Sequence, residues 1–192
     1  MRKLDIPISE KSIRELEVGD TVLLSGTMVT ARDAAHKLMV EERPDFLNDL
    51  LRDGVIYHCG PVVKKTGETW EFVAAGPTTS AREEPYQGKV IESYQVRGVI
   101  GKGGMGKGTL EACRKHGAVY FHAVGGCGTA TAQAVKEVAD VHMLEEFGTP
   151  EAFWVIRVED FPVIVTMDSH GNSIHDSVRE KSKKVFEELL AE

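Results

Sequence analysis

The stretch "VIGKGGMGKGTLEACRKHGAVYFHAVGG", residues 99–126, decides how this chain folds. Val99 and Ile100 are apolar and β-branched and run straight into a glycine loop, the pattern of a strand end. An amphipathic segment near Leu110 to His116 predicts a helix, and "GAVYFHAVGG" (117–126) predicts a buried strand. Strand, helix and strand in succession form the unit of an α/β layered domain whose sheet is partly parallel. The loop comes close to a phosphate cradle, G-x-x-x-x-G-K followed by Ser or Thr. Gly101, Gly106 and Lys107 fit it. Gly108 stands where the magnesium-binding hydroxyl belongs, and Thr109 comes one place late.

Upstream, Thr21–Val29 is rich in β-branched residues and predicts a strand. A helix is expected from about Asp33, with Asp33 as its N-cap, and Pro44 ends or kinks it. A second amphipathic piece runs through Leu51. "GVIYHCGPVV" (54–63) and "WEFVAAGP" (70–77) read as strands around a hairpin-like turn, "KKTGET" (64–69). Downstream, "TATAQAVKEVADVHML" (129–144) predicts a helix. "FWVIRVEDFPVIVTMD" (153–168) predicts two strands broken near Asp160–Pro162, and "SVREKSKKVFEELLAE" (177–192) an amphipathic helix. No repeat, low-complexity tract or linker divides the chain, so one domain over residues 1–192 is expected.

With 192 residues, 42% of them hydrophobic and 28% charged, the chain can bury a sizeable core. A formal net charge of -7 argues against a general nucleic-acid binder, which is usually basic. It leaves room for an anionic small molecule, because local cations can outweigh net charge inside a cleft. No apolar run is long enough to span a bilayer, and "MRKLDIPISEKSIREL" lacks the apolar core of a signal peptide. A cytoplasmic protein without membrane or nucleic-acid partners is expected. Three widely spaced cysteines, Cys59, Cys113 and Cys127, make a disulfide framework a poor reading.

Four stretches share one form, a polar or cationic residue at a strand end followed by glycine or a helix start. They are "TMVTARDAAHK" (27–37), "AAGPTTSAREEPY" (74–86), "VIGKGGMGKGT" (99–109) and "AVGGCGTAT" (123–131). Loops at strand ends are where α/β folds place ligands. Arg32 and Arg82 suit a bidentate grip on carboxylates, and Lys102 adds a point charge among glycines that admit close approach. Thr78 and Thr79 follow Pro77, so their hydroxyls are aimed by a stiff turn. Two arginines and a lysine suit a dicarboxylate. Two other readings of the glycine loop stand beside this one. A nucleotide site would use Asp168, at the end of "FPVIVTMD" (161–168), for magnesium; the displaced hydroxyl and the lack of a spaced base or arginine pair count against it. A glycine turn required only by packing is the plainer alternative.

At these residues the chain resembles a known family. "TARDAAHK" (30–37), "AAGPTTSAR" (74–82), "VIGKGGMG" (99–106) and "VEDFPVIV" (158–165) resemble, in order and spacing, the β subunit of two-subunit class I fumarases. They also resemble the L-tartrate dehydratase β subunit and the C-terminal half of single-chain class I fumarases. The resemblance spans roughly residues 5–175. It implies a swivelling β/β/α-type layered domain with a mixed sheet. It further implies an iron–sulfur hydro-lyase whose [4Fe–4S] cluster is held by three cysteines of a partner α subunit, in a hetero-oligomer such as α2β2. One iron stays open as a Lewis acid for the leaving hydroxyl. By match of motif, Arg32, Arg82 and Lys102 would bind the carboxylates of a small dicarboxylate, and Thr78 would carry the proton transfer. Thr79, Gly101, Gly103 and His36 are the further cleft candidates. The implied reaction is L-malate to fumarate, with L-tartrate to oxaloacetate as the alternative and a non-catalytic anion-binding module as a third reading. Alone, such a chain should be inactive and could pair with itself through its partner-binding face. Lys102 is then the functional lysine of the glycine loop, and Lys107 a decoy.

The cysteines show no tight iron–sulfur spacing, so no metal site is assigned to this chain. Cys113 falls mid-helix, where a small buried residue is usual; Cys59 and Cys127 adjoin glycines near the proposed cleft. His58 and His122 fall in strands and read as core or edge residues. His116 sits near a helix C-terminus, where a cation is favoured. His142, His170 and His175 have no ligand spacing.

Overall fold

A computed structural model describes residues 1–190 of the chain. The elements in order are β1 (Arg2–Ile6), α1 (Glu10–Arg14), β2 (Thr21–Thr30), α2 (Asp33–Glu41), α3 (Phe46–Leu51), β3 (Val55–Tyr57), β4 (Val62–Thr66) and β5 (Thr69–Ala74). A short 3-10 turn at Ser80–Arg82 leads to α4 (Glu84–Tyr94). Then come β6 (Gly98–Gly101), α5 (Lys107–His116), β7 (Val119–His122), α6 (Gly128–Ala132), β8 (Val135–His142), α7 (Leu144–Phe147), β9 (Phe153–Met167) and α8 (Ile174–Leu190). The main sheet has the order β1-β2-β3-β6-β7-β9-β8, and β9 also pairs with β2, so the sheet closes on itself. β1, β2, β3, β6 and β7 run parallel, and β9 is antiparallel to β2, β7 and β8. The β4–β5 hairpin forms a small second sheet. This is the mixed α/β architecture the sequence implies.

Side-chain alternation on three short strands divides the interior in two. Val55, Tyr57, Ile100, Val119 and Phe121 join Trp154 and Phe161 in the core enclosed by the sheet. Ile56, Val99 and Tyr120 face the other way, onto Ala35, Met39, Leu47, Val90 and Cys113 of the covering helices. A strand buried on both faces reads as a continuous apolar run, which is why these segments were legible.

Three local expectations are corrected. Residues 129–144 are not one helix: the helix at Gly128–Ala132 stops early, and Val135–His142 is an edge strand. Residues 153–168 do not hold two strands; β9 is continuous through Met167. It bends at Asp160, which has φ 49°, and the β2 register shifts opposite it, so one extra residue of β9 is taken up as a bulge. Asp33 is the first helical residue rather than the cap. Arg32 occupies the cap position, and no side chain caps this helix. Helix α8 contributes no buried residue, and its Val185, Phe186 and Leu189 are exposed. Among the described residues, no helix is long and apolar enough to cross a membrane.

Candidate active site

The parallel strands bring their C-terminal ends to one edge. Thr30, Tyr57, Ile100 and Phe121 lie in register across β2, β3, β6 and β7, so the residues just after them emerge side by side. The segment after Pro77 threads into this edge. The Thr78 N–H donates to the His58 carbonyl at 2.7 Å, the Lys102 N–H to the Thr78 carbonyl at 3.1 Å, and the Ser80 N–H to the Lys102 carbonyl at 3.1 Å. Thr78, Thr79 and Lys102, far apart in sequence, thus share one short ladder.

Arg82 closes the group. Its Nη2 donates to Thr78 Oγ1 at 3.2 Å and lies 3.3 Å from Asp33 Oδ2. Among the described residues, Lys102 has no acidic partner, and its stem runs beside Gly125 of the loop after β7. Thr78, Arg82 and Lys102 are therefore brought together. Arg32 is not joined to them directly. Its Nε lies 3.3 Å from Glu151 Oε1, its Nη1 donates to the Pro150 carbonyl at 3.4 Å, and Gly60 makes room for it. Gly103 is exposed and has φ 82°, whereas Gly101 is buried.

Gly101 lies under the site for a steric reason. A Cβ there would stand 1.8 Å from Ser80 Oγ. Ser80 Oγ accepts from the Tyr120 hydroxyl at 2.9 Å and lies 2.8 Å from His58 Nδ1. The Gln87 amide lies 2.9 Å from Nε2 of both His58 and His36, and His36 Nδ1 lies 2.9 Å from the Arg32 carbonyl. His36, His58, Ser80 and Gln87 are fully buried. His36 therefore does not open on the cleft; it holds the strand-end loops together from beneath. Burial keeps both imidazoles neutral, lowering His36 and, further, His58. A carbonyl only accepts, so His36 Nδ1 carries the proton and its Nε2 accepts. That requires the amide NH2 of Gln87 to face the rings, an assignment set by the network. Nothing in the sequence signalled Gln87 or Tyr120. Ser80 stood within a motif already singled out.

The phosphate-loop resemblance ends at Glu84. Its carboxylate accepts from the Gly106 N–H at 2.7 Å, the Thr109 N–H at 3.2 Å and the Thr109 hydroxyl at 2.7 Å. The donors a phosphate would use are already taken by this chain. Asp168 is likewise turned inward, accepting from Val18, His170 and Asn172. Lys107 faces an open surface hollow with Glu111 and Arg114.

Two of the three thiols are ill suited to metal. Burial pushes Cys59 and Cys113 up to about 12, and Cys127 alone is exposed. Among the described residues, no three His, Cys, Asp or Glu side chains cluster as metal ligands.

Comparison with known proteins gives a consistent picture. Residues 2–178 match the family described as the fumarase C-terminus. A Geobacillus stearothermophilus protein with the provisional name class I fumarate hydratase is 51% identical over 181 residues, 93% of this chain and 34% of its own length. A Methanocaldococcus jannaschii protein provisionally named L(+)-tartrate dehydratase subunit beta is 43% identical over 95% of this chain and 93% of its own. The L(+)-tartrate dehydratase subunit beta of Escherichia coli K12 is 41% identical over 96% and 90%. The chain thus spans about a third of the first relative and most of the other two.

Proposed function

The chain belongs to the fumarase C-terminus family, and from that premise we propose that it is the β-type subunit of a hydro-lyase removing water from a 2-hydroxy dicarboxylate. The observation that carries this reading is the Arg82–Thr78 hydrogen bond standing beside Lys102 on one strand edge. Lys102 and Arg82 would hold the substrate carboxylates, and Thr78 Oγ1 would take the proton from the carbon next to one of them. The released electron pair forms the double bond as hydroxide leaves the adjacent carbon. A threonine oxygen takes this proton only as the alkoxide, after passing its own proton to a carboxylate or water of the assembled site; the Arg82 N–H aimed at Oγ1 would stabilise that alkoxide. The same cations would stabilise charge growing on the carboxylate as the C–H bond breaks. Arg32, held by Glu151, is proposed as a third carboxylate ligand at the rim, reached by exchanging that partner.

We assign the [4Fe–4S] cluster to a partner α-type chain, because the thiols here are a poor donor set. When bound it would supply the Lewis acid for the leaving hydroxyl; the roles given above use this chain's residues alone. L-Malate is the proposed substrate. L-Tartrate is the alternative, favoured by two relatives of matching length whose names carry it. The substrates differ by one hydroxyl, which a single hydrogen bond in the partner's wall could select.

The test is an anaerobic assay of fumarate hydration by this chain alone and by this chain mixed with a cluster-loaded α-type subunit. Activity only in the mixture is expected, and L-tartrate on the same sample then decides the substrate. A stable, cluster-bearing complex inert to both acids would overturn the reading in favour of a non-catalytic anion-binding module.

A further inference from the structure

Glu83 is buried next in sequence to Arg82 of the proposed proton-transfer pair, and no role described so far uses it. It follows Arg82 and occupies the cap position of α4 without capping it. Its side chain is fully buried, and both carboxylate oxygens are without a hydrogen-bond partner. One helical turn on, the Gln87 amide atom turned away from the imidazoles, its oxygen in the assignment above, is also buried and unpartnered. An ionised carboxylate is not left bare in a protein interior; the group keeps its proton instead.

The neighbourhood agrees. From α2, Asp33 faces Glu83, while His36 sits on Gln87. From its own segment comes Arg82; from β7 comes Tyr120, whose phenol is raised in part by Glu83. His58, behind Gln87, is neutral. Burial first, and the Asp33 carboxylate second, push the Glu83 carboxyl up to about 7, against weaker pulls from its own backbone N–H and from Arg82. The Arg82 guanidinium is thus paired with Asp33 and Thr78 and not with Glu83, although its charge is felt at the Glu83 carboxyl.

We propose that Glu83 is a positioning residue for the Arg82–Thr78 pair. As the neutral acid it leaves Arg82 to Asp33, to Thr78 and to a substrate carboxylate. Once ionised it becomes a second anion competing for the same guanidinium, drawing Arg82 back from Thr78 and repelling the incoming dianion. Site assembly is thereby favoured on the acid side of neutrality and lost on the alkaline side. This rests on the hydro-lyase reading only for what the pair does, and not for the coupling itself.

The coupling is read on the full chain without substrate or cluster. In an NMR titration, the Glu83 carboxyl carbon and the Arg82 guanidinium nitrogens should step together near pH 7. In Glu83→Gln the Arg82 step should vanish. A Glu83 carboxyl titrating with ordinary carboxylates below about 5, or an Arg82 signal unmoved at the Glu83 midpoint, would overturn the proposal. In the assembled enzyme, kcat/KM for fumarate hydration should fall about tenfold per pH unit above that midpoint, and Glu83→Gln should flatten this limb. Retention of the same limb in the glutamine variant also overturns it. An assembled complex with no turnover but with the NMR coupling intact would sink the hydro-lyase reading and leave Glu83 in its role.

Discussion

Thr78 is placed by backbone bonds rather than by its own hydroxyl: its N–H and carbonyl hold it between His58 and Lys102. Replacing it with alanine should therefore leave the fold nearly untouched, within about 0.5 kcal/mol. In the assembled enzyme it should lower kcat by about 10²–10⁴, the usual worth of a proton-transfer group. Full turnover by Thr78→Ala would remove it from the mechanism. The two lysines of the glycine loop make a matched pair. Lys102→Ala should raise KM for a dicarboxylate and cripple turnover, whereas Lys107→Ala, in an open surface hollow beside Glu111 and Arg114, should change either by less than about twofold. The reverse order in steady-state kinetics would move the site to the helix N-terminus that Glu84 fills. Gly101 answers for the fold: Gly101→Ala drives a Cβ into Ser80 Oγ and should cost about 1–3 kcal/mol or more in urea unfolding. At this scale the cationic and hydroxylic residues were legible, since Arg, Lys and Thr at strand ends announce their chemistry. The supporting shell was not. Gln87 and Glu83 are ordinary helix residues in sequence and become unusual only because the fold buries them.

Among the elements, β8 shows most clearly where a periodicity argument fails. Val135, Val138 and Val141 recur every third residue, as on a helix face. In the fold they lie opposite Val158, Ile156 and Trp154, which are spaced by two on β9. Two bulges, between Val135 and Glu137 and between Val138 and Asp140, make up the difference. An extra residue at each bulge stretches a period of two to three, so spacing alone cannot separate a bulged edge strand from a helix. Lys136, Glu137 and Asp140 then place charges along a sheet edge, where they discourage pairing with another strand. The parallel strands β3, β6 and β7 raised no such ambiguity, because burial on both faces demands an unbroken apolar run. Helix α8 poses the opposite case, a correct helix with little to hold it. His175 in its first turn lies 3.0 Å from Thr166 Oγ1 and packs on Gly104, while later turns bury nothing. Ending the chain after Glu180 should therefore leave the thermal unfolding free energy within about 0.5 kcal/mol. A large drop in Tm would show that the distal turns pack on the body.

For the whole molecule, the buried titratable groups beneath the site make stability depend on pH in two opposed ways. His36 and His58 are neutral when folded, with pKa values held below 6.5 by burial. The unfolded chain takes up their protons first, so their contribution is full above 6.5 and is lost as pH falls, by about 1.4 kcal/mol per unit for each group. Asp168 acts in the same sense at lower pH. Burial opposes its ionisation, but hydrogen bonds from Asn172, His170 and Val18 outweigh it and lower its pKa. Its contribution is present above 3.8 and is lost as pH falls through the lowered folded value. Glu83 runs the other way. Its carboxyl goes from 4.5 unfolded to about 7 folded. Its favourable share is complete below 4.5 and disappears as pH rises through 7, a difference of about 3 kcal/mol. Glutamine cannot ionise, so Glu83→Gln should exceed wild type in urea-unfolding free energy by up to about 3 kcal/mol at pH 8. The gap should close near pH 4.5. The acid limb from the histidines should remain in the variant. An equal loss of stability at both pH values would mean that Glu83 only fills space. A gain confined to high pH would mean that the fold tolerates a buried carboxyl at a measurable cost in order to keep it next to Arg82.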